Sequence, residues 1–262
     1  MLRERLITAG ILLPPIALIL YLGGYFLVSL SIACFLIINY EFFSFTCSYS
    51  RREILRLTIC SFLMPLGYCW RGWEGLALAF ILAVYVALVL QVVIVEREAH
   101  EPNYSRSLPA SMLGFCYTGL LGSLMIIYAS KSQAHIMVTW LLALVIFSDS
   151  GAYFGGRFFG GDKLAPRISP NKTISGAISG MLCALFGSLL FSYILELPVS
   201  VSLLIPFSIV AGVLAQIGDL VQSMIKRAFG VKDVSNLLPG HGGLLDRIDA
   251  FLFALPVLFF LS

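Results

Sequence analysis

Charge is scarce in this sequence. Asp, Glu, Lys and Arg make up 12% of the 262 residues while 59% are hydrophobic, and that share of charge is about half of what an average soluble domain carries. The mean hydropathy is +0.95, which is more apolar surface than one water-exposed domain can bury, so the bilayer must act as solvent. The formal net charge is only +3 and no five or six like charges run together, which argues against a nucleic-acid partner. Cys34, Cys47, Cys60, Cys69, Cys116 and Cys183 lie in or beside apolar stretches without CxxC or a Cys/His cluster; the pattern fits reduced thiols at lipid depth rather than zinc ligands or disulfides. A GxxxxGK[ST] loop is missing too, which disfavours an ordinary P-loop nucleotide site. Arg3 and Arg5 precede an apolar run as in a signal peptide, but no small-residue cleavage site follows. An uncleaved first helix is therefore expected.

Long hydrophobic runs are what the chain has in abundance. About 20 apolar residues in a helix span the roughly 30 Å of hydrocarbon in a bilayer. Apolar segments run over residues 6–22, 25–43, 54–70, 75–95, 108–128, 135–147, 174–195, 201–221 and 250–261, with Pro14, Pro15, Pro65, Pro206 and Pro256 placed to kink helices. The expected fold is all-α: a polytopic membrane helical bundle of about nine transmembrane helices. Residues 1–262 form a single membrane domain, in which 1–147 hold the N-terminal and middle helices and 148–262 the helices and loops of a candidate catalytic centre. No repeat or low-complexity tract interrupts it.

With nine crossings, every Lys and Arg except Arg71 and Lys131 falls on the side of the N-terminus. A miscounted helix would scramble that asymmetry, and the positive-inside rule puts the basic side in the cytoplasm. Two long polar loops, 148–173 and 219–249, share that side.

The second loop reads DLVQSMIKRAFGVKDVSNLLPGHGGLLDRID and holds four aspartates, four basic residues and a histidine between apolar helices. If the eighth helix continues through Arg227, Asp219, Ser223 and Lys226 share one face at i, i+4 and i+7. Asp246 and Asp249, spaced i, i+3 at the start of the ninth helix, can point toward one ion, and Asp219 can complete that site. Carboxylates suit magnesium, a hard cation that commonly bridges protein to substrate phosphates. An aspartate at an apolar helix end costs about 2.5–3.5 kcal/mol on insertion scales and is usually functional or paired. Pro239-Gly240-His241-Gly242-Gly243 supplies a turn whose backbone can approach a ligand, with amides able to cradle phosphate. His241 is suited to a phosphate contact, a loop hydrogen bond or general-base work. Lys226 and Arg227 also fit simple interfacial anchors. The first loop places Asp149 at a helix end and distributes Arg157, Lys163, Arg167 and Lys172 among glycines; it fits polyanion binding or a flexible basic connector.

From Ser223 onward, SMIKRAFGVKDVSNLLPGHGGLLDRID resembles the signature of the phosphatidate cytidylyltransferase family, the CDP-diacylglycerol synthases. Ser223, Lys226, Arg227, Lys232, Asp233, Leu238, Pro239, His241, Gly242, Gly243, Asp246, Arg247 and Asp249 match its pattern. The resemblance extends upstream through Asp149, AYFGGRFFG and LAPRISPNKT. It departs from the family at Ile174 and Ser175, where an aromatic residue and a glutamate are common, so no role for that carboxylate carries over.

The resemblance implies transfer of CMP from CTP to phosphatidic acid in a Mg2+-dependent reaction, with a second, monovalent cation such as K+ and a homodimer. It places the protein in a bacterial cytoplasmic (inner) membrane with the active site facing the cytoplasm. Asp219, Asp246 and Asp249 are then expected to bind metal, and Lys226, Arg227, Lys232 and Arg247 to balance phosphate charge. His241, Gly242, Gly243 and Ser223 would contact the substrates, with Asp149, Asp233, Lys163 and Lys172 as further candidates. An ion-coupled transporter and a CTP-dependent lipid kinase are the competing readings. A CDP-alcohol phosphotransferase is remote, because its DGxxAR core is missing.

Overall fold

The structure, a computed structural model, describes residues 2–47, 49–97 and 104–261. Its elements in chain order are α1 (Leu2–Leu22), α2 (Gly24–Thr46), α3 (Arg51–Arg97), α4 (Tyr104–Gly114), a π-helical stretch (Phe115–Leu120) and α5 (Leu121–Ala129). Then come α6 (Ala134–Phe159), β1 (Lys163–Ala165), β2 (Ser169–Thr173), α7 (Ile174–Ile194), α8 (Val201–Ala228), α9 (Leu245–Ala254), a 3-10 turn (Leu255–Val257) and α10 (Leu258–Leu261). Among the described residues, six helical runs are long and apolar enough to cross a membrane: Gly24–Thr46, Arg51–Val93, Arg106–Ala129, Ala134–Phe159, Ile174–Ile194 and Val201–Ala228. The chain is an all-α polytopic integral membrane protein. Six is fewer than the nine apolar segments of the sequence. Segment 6–22 overlaps a shorter apolar helix, Gly10–Leu22; segments 54–70 and 75–95 both lie in α3; and 250–261 is broken by the 3-10 turn at Pro256.

α3 is not one straight rod. Arg71 (φ −137°, ψ 22°) and Gly72 (φ 60°, ψ −138°) leave helical geometry. Residues 67 and 75 of a continuous helix would be about 12 Å apart at 1.5 Å per residue, yet a Cβ added to Gly75 would lie 1.9 Å from the Gly67 carbonyl oxygen. The backbone doubles back, and two glycines without side chains let its two arms touch.

α6 is longer than expected. Residues 148–159, rich in glycine and serine, read as loop from sequence, but they continue the helix to Phe159 and stop at Gly160, whose φ is +60°. Contact with α7 is the reason. A Cβ on Gly151 would sit 2.5 Å from Cys183 Cβ, one on Gly155 2.2 Å from Ser179 Cβ, and one on Gly176 2.7 Å from the Ala152 carbonyl. Small residues at this spacing let two membrane helices approach backbone to backbone, which offsets the poor helix propensity of glycine. Beyond α6, β1 and β2 pair antiparallel, Lys163 with Thr173 and Ala165 with Ser169, a short hairpin added to the helical fold. Thr173 then caps α7, its Oγ1 accepting the Gly176 amide at 3.1 Å.

The chain forms two compact units, one of residues Met1–Thr8, Val28–Ile127 and Asp233–Leu245, the other of Ala9–Leu27, Tyr128–Lys232 and Asp246–Ser262. In the first, Thr118 in the π-helical stretch donates to Asn39 Oδ1 on α2 at 2.9 Å, both wholly buried. In the second, the indole of wholly buried Trp140 on α6 donates to Ser188 Oγ on α7 at 3.0 Å, and Ser188 meets Ser208 of α8 at 2.5 Å. These hydroxyls tie helices together where apolar packing alone gives little preference over lipid.

Candidate active site

Because α8 runs unbroken to Ala228, Asp219, Ser223 and Lys226 fall on one face. Ser223 Oγ donates to Asp219 Oδ1 at 3.4 Å. The other oxygen of Asp219 is held by Lys172, at the end of β2, at 2.5 Å. Lys226 donates to Asp246 Oδ1 on α9 at 2.6 Å, and this pair is the more enclosed of the two: its side chains are 13% and 3% exposed, against 27% and 36% for Lys172 and Asp219. α8 and α9 meet at Gly218, where an added Cβ would stand 3.0 Å from the Asp249 carbonyl oxygen and 2.7 Å from Phe253 Cβ. The glycine next to Asp219 thus lets the backbone of Asp249 approach.

Asp249 is buried and its carboxylate accepts the following amide, that of Ala250, at 2.7 Å. It lies on α9, outside the six candidate spans. A cavity of about 600 Å³ is lined by Asp149 and Arg157 of α6, Lys163, Asn171 and Lys172 of the hairpin, and Asp219. A neighbouring apolar cavity of about 840 Å³ is walled by Phe147, Phe154, Phe158, Leu182 and Cys183, and Arg157 borders both.

The other residues singled out from the sequence are placed less centrally. Arg227 is exposed and reaches past the end of its helix, Nη1 donating to the Val231 carbonyl at 3.4 Å. Lys232 and Arg247 are exposed in the same unit. Ser175 binds the Gly160 carbonyl and meets Thr173 Oγ1 at 3.0 Å, so at this departure from the family pattern the side chain closes the junction of hairpin and helix. Ile174 faces outward.

Asp233, His241, Gly242 and Gly243 belong to the first unit. Asp233 is exposed. Gly240 and Gly242 take φ of +73° and +85°, the left-handed conformation for which glycine is suited. The amides of His241 and Gly242, expected to offer themselves to phosphate, both donate instead to the Leu238 carbonyl, at 2.8 and 3.1 Å, and Leu238 N donates to Gly242 O at 2.8 Å. The turn is closed on itself. Its continuation is held by a residue that the sequence reading passed over: Glu41 of α2, 4% exposed. Its Oε1 accepts from Ser235 Oγ at 2.6 Å and Leu244 N at 3.0 Å, and its Oε2 accepts from Leu245 N at 2.8 Å. Asn171 and Gln216 were missed as well; both line the polar cavity, where Gln216 donates to the Ala177 carbonyl at 3.0 Å.

Among the described residues, no three His, Cys, Asp or Glu side chains are grouped so as to hold a metal ion as they stand. The donor chemistry nevertheless fits magnesium. The candidates are carboxylate oxygens with no thiolate among them, and Asp219 and Asp246 each already carry a cation in the form of a lysine ammonium. Gln222, one turn beyond Asp219 and wholly buried, has no hydrogen-bond partner for its amide among the described residues, which leaves a further oxygen for water or a hydrated ion.

The sequence model of the cytidylyltransferase family matches residues 3–262. The chain belongs to this family. Relatives include proteins named phosphatidate cytidylyltransferase from Staphylococcus haemolyticus (strain JCSC1435), Staphylococcus epidermidis (strain ATCC 12228 / FDA PCI 1200) and Staphylococcus aureus (strain COL), to which the chain is 41%, 42% and 40% identical over 147 residues. Each match covers 56% of this chain and 56% of the relative, so the chain spans little more than half the length of the relatives it matches.

Proposed function

We propose that this member of the family is a phosphatidate cytidylyltransferase, transferring CMP from CTP to phosphatidic acid to give CDP-diacylglycerol and pyrophosphate. The observation that carries the reading is the aspartate–lysine constellation on α8, α9 and the hairpin, set beside a polar cavity lined with cations. The staphylococcal relatives' names support it. Phosphatidate brings its own nucleophile: a phosphate oxygen attacks the α-phosphorus of CTP, the new P–O bond forms as the bond to the β-phosphate oxygen breaks, and pyrophosphate departs with that electron pair. No serine or cysteine nucleophile is required. The protein's work is in-line positioning and neutralisation of charge. Lys163, Lys172, Arg157 and Lys226 supply positive charge for the phosphates. Asp219, Asp246 and Asp249 would hold Mg2+, which neutralises the triphosphate and stabilises the departing pyrophosphate. Lys172 and Lys226, each on one oxygen of its aspartate, would share these carboxylates with the ion and stand within reach of the phosphates it holds. A monovalent cation such as K+ beside magnesium, and a homodimer, belong to the same proposal.

In this reading the chain crosses the bacterial cytoplasmic membrane nine times as one membrane domain, with residues 148–262 carrying the catalytic parts. The two arms of α3, the helix α1 and the α9–α10 segment would add the three crossings beyond the six clear spans. The basic loops then face the cytoplasm, where CTP arrives from water and phosphatidate presents its headgroup without leaving the bilayer. The test is purified protein with CTP labelled in the α-phosphate, phosphatidate and Mg2+. Labelled CDP-diacylglycerol with release of pyrophosphate is the expected result. CDP with a newly phosphorylated lipid would identify a kinase, and solute uptake by proteoliposomes without either product a transporter; each would overturn the proposal.

A further inference from the structure

Glu41 stands out among buried ionisable groups because it lies far in sequence from the signature region and yet is committed to it. A carboxylate inside an apolar helix is costly and persists where it is paired or functional. Here its contacts go to one segment, 235–245. Two consecutive amides, those of Leu244 and Leu245, donate to the two carboxylate oxygens, and Ser235 at the other end of the segment donates its hydroxyl. Ser235 Oγ in turn receives the Leu237 amide at 3.1 Å. One side chain thus pins both ends of the Pro239-Gly240-His241-Gly242-Gly243 turn. Gly243 is part of the arrangement: a Cβ there would lie 2.9 and 3.0 Å from the two carboxylate oxygens of Glu41. The glycine makes room for the clamp.

Leu245 is the first residue of α9, so Glu41 takes the place of the usual N-cap, accepting amides that the helix itself cannot use. Asp246 is the next residue, and Asp249 lies one turn on. The phase in which α9 starts determines where both carboxylates point, because each residue turns the helix by about 100°.

We propose that Glu41 is a positioning residue for the reaction: it fixes the start of α9, and so the direction of Asp246 and Asp249, without touching substrate. The proposal rests on the cytidylyltransferase reading for its catalytic part only. Glu41→Gln keeps the volume and one acceptor oxygen but sets an NH2 group against a backbone N–H, whereas Glu41→Ala removes both acceptors. A misplacement of about 1 Å can cost about 100-fold in rate. The expected series is a kcat lowered about 10-fold in Glu41→Gln and about 100-fold in Glu41→Ala, with KM for CTP within about threefold, since an interaction that orients reacting groups is lost from the rate rather than from ground-state binding. Gly243→Ala, which displaces the carboxylate without removing it, should resemble Glu41→Gln.

Hydrogen exchange of the detergent-solubilised full chain gives a readout that does not depend on activity. The amides of residues 244 and 245 should be protected in the native protein and exchange faster in Glu41→Ala, while α6 and α7 keep native protection. Unchanged exchange at 244–245 in folded Glu41→Ala, or a kcat within twofold of native in both Glu41 variants, overturns the proposal. So does a loss of activity that only tracks the loss of folded protein. An inactive native protein would refute the cytidylyltransferase reading and the catalytic part with it, and exchange would still decide whether Glu41 holds the segment.

Discussion

At the scale of single residues, the two lysine–aspartate pairs differ in what they should cost to break. Asp246 and Lys226 are nearly enclosed, so Asp246→Asn leaves an ammonium buried without its counter-charge, a loss of about 3–5 kcal/mol. Asp219 and Lys172 are partly open to solvent, and Asp219→Asn should cost about 0–1 kcal/mol. On the proposed function both variants should lose CDP-diacylglycerol synthesis, but only Asp246→Asn should show a clear drop in melting temperature in detergent, and a Lys226→Met, Asp246→Leu double variant should recover much of that drop while staying inactive. Equal melting temperatures for the two single variants would contradict the burial argument. Asp219, Lys226 and Asp246 were legible in the sequence because acidic and basic groups at helical spacing beside apolar runs call for an explanation. Glu41 obeys the same rule, being a lone carboxylate within the apolar segment 25–43. It escaped notice because its partners, two backbone amides and a serine some 200 positions away, leave no trace in residue type.

At the scale of elements, glycine misled where it packs and informed where it turns. The stretch from Gly151 to Gly161 has the composition of a loop, and local propensity cannot reveal that α7 is waiting with Ser179 and Cys183 to fill the missing side chains. By contrast, the positive φ at Gly240 and Gly242 follows from the turn itself. Gly155→Val should destabilise the α6–α7 pair by about 1–3 kcal/mol through overpacking, and Ser179→Gly in the same chain should return part of that loss; the thermal unfolding of both singles and the double gives the coupling. Simple additivity would show that the two residues do not share a contact. In α3, Gly75→Ala puts a methyl group 1.9 Å from a backbone carbonyl that has no rotamer to retreat into. That variant should fail to fold its hairpin, seen as lost expression or as protease cleavage near residues 71–72, whereas Gly10→Ala, with nothing within 4 Å, should express normally.

At the scale of the whole molecule, the membrane-protein class was plain because the hydrophobic runs exceed what any soluble core needs. The number of crossings was harder to read, since short apolar helices such as Gly10–Leu22 and the broken α9–α10 segment are ambiguous by length. The nine-crossing topology predicts opposite exposure for two loops. In a cell-based assay on a variant with its six cysteines replaced, Lys131→Cys should react with an impermeant maleimide in intact cells, and Arg167→Cys only after permeabilisation. The reverse pattern would mean the inverted orientation, and equal labelling a different number of crossings between the two loops. The seam between α6 and α7 has a consequence of another kind. Where Gly151, Gly155, Gly176 and Gly180 bring two backbones together, no acyl chain can pass between those backbones, although the same two helices wall an apolar cavity beside them. Changes in bilayer thickness or in detergent tail length will therefore be felt around the outside of that pair, which should tilt as a unit and carry the hairpin between them along.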